Sequence, residues 1–66
     1  MIRILKNDVY DGKKQLQEIA ITEETDLANI DKTKLLTGTT VQFLDTVSNK
    51  LRIFYFTEKD NDFHEV

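Results

Sequence analysis

Leu51-Arg52-Ile53-Phe54-Tyr55-Phe56 is the stretch on which the fold turns. Its β-branched and aromatic side chains fit a pleated strand far better than a helix. Successive strand residues point to opposite faces, so Leu51, Ile53 and Tyr55 share one side and Arg52, Phe54 and Phe56 the other. Both sides are therefore mostly apolar. A strand buried on both faces needs material to cover it twice, and a short chain has little to spare. Two arrangements meet the demand. Either the rest of the chain covers the second face, or another molecule does.

The neighbouring segments read as strands separated by turns. Thr40-Val41-Gln42-Phe43-Leu44 precedes the central strand, and Asp45-Thr46-Val47-Ser48-Asn49-Lys50 is a polar loop with turn residues at each end. Short loops of this kind join antiparallel partners. Thr57 to Asp62 is a second polar turn, and Phe63-His64-Glu65-Val66 supplies a short final strand.

Working towards the N-terminus, Gly38 closes a connection that begins near Thr22. Thr22 is a candidate cap, and Glu23, Glu24 and Asp26 place negative charge where a helical first turn favours it. Leu27 and Ile30 then face the sheet together, followed by Leu35 and Leu36. The expectation is one short helix or 3₁₀ turn. Gln15 to Ile21 alternates, with Gln17, Ile19 and Ile21 on one side, and reads as a strand. Met1 to Leu5 is another. Asn7-Asp8 and Asp11-Gly12 are turn chemistry. The fold class expected is mainly β (α+β at most), a small antiparallel meander of four to five strands in a single domain over residues 1–66.

Composition narrows function by exclusion. Twelve Asp and Glu stand against nine Lys and Arg, for a net charge of −3, and the basic residues are scattered. General affinity for nucleic acid relies on clustered cations and is not expected. No apolar run approaches the ~20 residues needed to cross a bilayer, so no membrane partner is expected. The N-terminal residues lack the apolar core of a secretory signal, which predicts a cytoplasmic protein. Cysteine is absent, so disulfides and thiolate metal sites cannot brace a core this thin. Self-association is the remaining route to added stability.

Candidate chemistry is sparse. His64, the only histidine, has no companion nucleophile or ligand in its sequence context and reads as a solvent-facing strand residue. Asp60-Asn61-Asp62 with Glu58 and Glu65 contains part of a calcium-loop pattern but lacks the central glycine and the twelfth-position glutamate. Gly12 and Gly38 stand alone, so no phosphate-cradling loop is present. The expectations are no catalytic residue, no metal and no cofactor. Phe54 and Phe56, with Arg52 and Phe63, are the candidate interaction residues, since two exposed rings on one strand make a partner surface. The more ordinary reading of the same residues is that they simply fill the core.

The succession Thr25-Asp26-Leu27, Gly38-Thr39-Thr40-Val41, Asp45-Thr46, an aromatic strand, and Phe63-His64-Glu65-Val66 resembles small proteins from the structural-gene regions of tailed phages and prophages of Gram-positive bacteria. The likeness spans Thr25 to the C-terminus and departs from the pattern at Phe63, where tryptophan is commoner. It implies a small structural or accessory protein, incorporated into or associated with a virion, whose partner is its own copies or a larger assembly. A second function fits the acidic segments Glu23 to Asp31 and Glu58 to Glu65: an inhibitor that occupies a basic nucleic-acid-binding surface.

Overall fold

A computed structural model describes residues 1–66 as one five-stranded sheet in the order β1-β2-β3-β4-β5. The strands are β1 (Ile2–Tyr10), β2 (Lys14–Ile21), β3 (Thr40–Asp45), β4 (Lys50–Thr57) and β5 (Asp62–Glu65). The expected class, mainly β with one short 3₁₀ segment between the second and third strands, is the observed one.

Three of the four pairings are antiparallel hairpins, and their turns place glycine or asparagine at positive φ, with Lys13 (φ +89°) the exception. Gly12 adopts φ +65° between β1 and β2, a conformation open to glycine because it has no Cβ to clash. Asp45 Oδ1 accepts the N–H groups of Val47 and Ser48 after β3, and Asn49 takes φ +57° before β4. Asn61 does the same at φ +55° before β5.

The fourth pairing corrects the meander. β2 and β3 run parallel, with Glu18 opposite Thr40 and Ile21 opposite Phe43. Parallel neighbours need a crossover of about a dozen residues or more, and the segment 22–39 is long enough to provide one. It contains the 3₁₀ segment Glu24–Asn29 and then runs back along the sheet. Thr39 ends it inside the protein. Its Oγ1 accepts the Gln17 N–H at 3.1 Å, while its backbone carbonyl accepts the Phe56 N–H at 2.9 Å. Gln15 exchanges backbone hydrogen bonds with Lys34 and Leu36 at 2.8 Å. The crossover thereby continues the hydrogen-bonding of β2 where β3 has not yet begun.

A second correction concerns Asn7-Asp8. These residues form no turn; β1 runs through them, with Asn7 opposite Gln17 and Asp8 opposite Leu16. The irregularity lies earlier, in a register shift between Ile4 and Lys6 that leaves Leu5 as the extra residue of a bulge. Turn-forming residues are tolerated there because β1 is an edge strand whose outer side meets no neighbour.

One face of the sheet holds the core: Ile19, Ile21, Val41, Phe43, Phe54 and Phe56, covered by Ile30 and Leu35 from the crossover. Leu27 and Phe63 pack against its margin. Arg52 closes the open end. Its guanidinium lies 5.3 Å from the Phe54 ring centroid and 5.8 Å from that of Phe43. It donates two 2.8 Å hydrogen bonds to Glu65 and one of 2.6 Å to Glu24, which pins the crossover to the last strand. Asp45 is 3.9 Å away. Arg52→Met keeps an apolar stem over the rings but leaves three carboxylates facing one another. Its melting temperature is expected to fall below that of the wild type and then to rise with added salt, as screening relieves the repulsion. A variant whose melting is indifferent to salt would show that the carboxylates do not interact.

Candidate interaction face

The four residues expected to form a partner surface lie elsewhere than on a free face. Phe56 is fully buried and Phe54 nearly so, both beneath the crossover. Phe63 is half-buried, edge-on to Phe56 with ring centroids 5.3 Å apart, and the Lys32 ammonium sits 5.7 Å from its centroid. Arg52 is held by Glu24 and Glu65. The structure therefore groups them as core and core rim. Leu27, Ile30 and Leu35 provide the cover for which the Arg52, Phe54 and Phe56 side competed.

The opposite side of the same strand has no cover in the chain. Leu51 (57% exposed), Ile53 (40%) and Tyr55 (40%) project from β4, and Leu44 (59%) stands directly across from Leu51 on β3. Register continues the surface: Ile53 opposes Gln42, Tyr55 opposes Thr40, and His64 of β5 stacks on Tyr55 with centroids 5.5 Å apart. Leu5, pushed out by the bulge, lines a shallow groove of about 220 Å³ with Thr40, Gln42 and Ile53. The result is an apolar stripe along β4 with a polar border. Alternation in Leu51–Phe56 already separated these residues from the core set, but periodicity has the same strength on both faces and cannot say which one is covered.

The polar residues around this face brace turns. Thr57 Oγ1 donates to Asp60, and His64 Nε2 lies 2.6 Å from Asp60 Oδ2. The hydrogen bond from Thr57, seconded by that of His64, holds the Asp60 carboxyl below its ordinary value. Nucleophilic catalysis needs an imidazole that accepts the hydroxyl proton while a third group orients its other nitrogen. Here the hydroxyl already donates to the carboxylate, and one imidazole nitrogen faces both groups. The set ties β4 to β5 across their turn.

The remaining carboxylates of this region diverge. Glu58 takes the Thr37 N–H and Lys14, Asp62 takes the Phe63 N–H and Lys32, and Glu65 takes Arg52. No three acidic or histidine side chains converge as a metal site would require. A wider groove of about 340 Å³ opens on the core side, where the crossover stops short of β1; Ile2, Ile4, Ile30 and Leu35 line it. No family model, curated protein or solved structure matched the chain in comparison.

Proposed function

We propose that the protein is a non-enzymatic assembly or protein-interaction module that presents the open face of its sheet to a larger protein assembly. The observation that carries this reading is the exposure of Leu44, Leu51, Ile53 and Tyr55 on one continuous surface. Apolar groups gathered in that way on a small domain mark a contact region, whereas scattered ones do not. Tyr55 closes one end of the stripe beside Thr40 and His64, and an apolar strip with a polar border matches the usual anatomy of such contacts. The resemblance of residues 25–66 to small proteins of phage and prophage structural-gene regions gives the assembly a class: a virion or its precursor. The acidic-inhibitor reading is the weaker one. Glu24, Asp26, Glu58, Asp60, Asp62 and Glu65 are engaged within the chain, which leaves few carboxylates free to imitate a row of phosphates.

A photo-crosslinking side chain placed at Ile53 or Tyr55 in the native host tests the reading. Adducts with one defined partner are expected from both positions, absent when Leu51→Ser is added and absent from a crosslinker at Lys59 in the polar turn. A protein that yields no adduct from the open face would sink the proposal. Neighbouring genes for capsid or tail components are expected if the assembly is a virion.

A further inference from the structure

The two edges of the sheet differ. β5 is four residues long and carries Asp62, His64 and Glu65 in those positions, which is how edges are protected against further pairing. β1 is nine residues long, contains no proline, and exposes Ile2, Ile4, Leu5, Val9 and Tyr10.

The backbone of β1 is poised to pair. The Met1 carbonyl accepts the Thr22 N–H, so Ile2 and Ile4, by alternation, turn their backbone groups away from β2. Beyond the bulge, Gln17 sends its N–H to Thr39, and Gln15 exchanges bonds with Lys34 and Leu36. Their partners Asn7 and Val9 are thus also turned outward. The bulge has a second effect. Ile2 and Ile4 lie opposite Ile21 and Ile19 on the core side, as Asn7 and Val9 lie opposite Gln17 and Gln15. Arg3, Lys6 and Asp8 lie opposite Ala20, Glu18 and Leu16 on the open side, and Leu5 joins them. The sequence of faces along β1 reads the same in both directions about the Leu5–Lys6 bond.

We propose that β1 pairs antiparallel with β1 of a second copy of this chain, giving a two-fold dimer with one continuous ten-stranded sheet, in the register that sets Arg3 of each chain opposite Asp8 of the other. In that register the outward-turned pairs Ile2 with Val9 and Ile4 with Asn7 exchange backbone hydrogen bonds, each pairing occurring twice. Ile2 against Val9 extends the apolar rim of the core-side groove across the junction. Arg3 against Asp8 matches opposite charges on the open side, where Asp8 already has Lys6 at 3.8 Å. Sliding the strands by one step of the pleat in one direction sets Arg3 against Lys6, and in the other against Tyr10. Both shifts oppose a core-side residue to an open-side one near the centre. An isologous contact of this kind closes on itself and leaves only the short β5 edges at the ends. It stands apart from the reading of the open face, because it uses the outer edge of β1 and needs no other partner.

Sedimentation equilibrium of the purified chain is the test, with circular dichroism to verify that each variant retains the wild-type spectrum. A dimer is expected for the wild type. Arg3→Glu and Asp8→Arg, at exposed or half-exposed positions, are each expected to weaken it by about tenfold or more, since every reversal acts at both symmetry-related contacts. The double variant, which swaps the charges, is expected to restore it. Tyr55→Ser is expected to leave it unchanged. A wild type that stays monomeric, a double variant as weak as its parents, or a dimer abolished by Tyr55→Ser but indifferent to the charge reversals would each overturn the proposal.

Discussion

Phe56→Ala is expected to lower the melting temperature by roughly 15 °C or more, whereas Leu51→Ser on the same strand should shift it by no more than a few degrees. Phe56 has no exposed surface, and it packs on Phe63 with the core around it. Truncating a buried phenylalanine costs about 3–5 kcal/mol through lost transfer energy and the cavity left behind. At the usual 0.05–0.15 kcal/mol per residue, a chain this size has only about 3–10 kcal/mol in total. One side chain thus accounts for a large share of the whole, and much of the Phe56→Ala population would be unfolded well below the wild-type transition. Leu51 lies on the other face, more than half exposed, where substitutions cost about 0.5 kcal/mol or less. Chemical denaturation followed by circular dichroism measures both. Equal losses for the two variants would mean that β4 is covered on both faces, contrary to the one-sided core.

That sidedness is where the sequence stopped being legible. Strands and turns could be read because their signals are local: alternation in Gln15–Ile21, aromatic enrichment in β4, and Asp or Asn where a hairpin turns. The covering of one face is a non-local event. It depends on Leu27, Ile30 and Leu35 reaching across from the crossover, and on Thr39 ending that crossover against Gln17 and Phe56. The residues 22–39 carry only a short 3₁₀ segment in place of the long amphipathic helix by which parallel pairs are usually recognised, so the sequence reads more simply as an antiparallel meander. Asn7-Asp8 misled for a related reason. Turn propensity describes what the backbone tolerates, and at an edge β1 satisfies its strand geometry on one side only. Phe54 and Phe56 stand out in the sequence as two rings on one face of a strand, which fits a core as well as a partner surface; the fold places them in the core and leaves Leu51, Ile53 and Tyr55 outside.

The fold should lose stability in acid, and the charge network indicates the range. Seven carboxyls are held below their ordinary values: Asp26, Asp31, Asp45, Glu58, Asp60, Asp62 and Glu65. The leading causes are hydrogen bonds to the charged form, from the Met1 ammonium to Asp26, from Thr33 to Asp31, from Ser48 to Asp45, from Thr37 to Glu58, from Thr57 to Asp60, from the Phe63 N–H to Asp62 and from Arg52 to Glu65. A carboxyl that is more acidic folded than unfolded binds its proton more readily in the unfolded chain, so stability rises with pH through the interval between the two values. Its contribution is complete above the unfolded values, 3.8 for Asp and 4.5 for Glu, and disappears as pH falls through the lower folded ones. Arg52 is shifted upward, but it remains charged throughout this range and adds no slope of its own. Melting temperatures should therefore be level above about pH 5 and decline below about pH 4. Glu65→Gln and Asp26→Asn remove two of the contributing groups, and the double variant should show a lower plateau with a shallower acid decline. A double variant that keeps the wild-type slope would mean that these two carboxyls are as acidic in the unfolded chain as in the folded one, and that their contacts with Arg52 and the Met1 ammonium add nothing to stability.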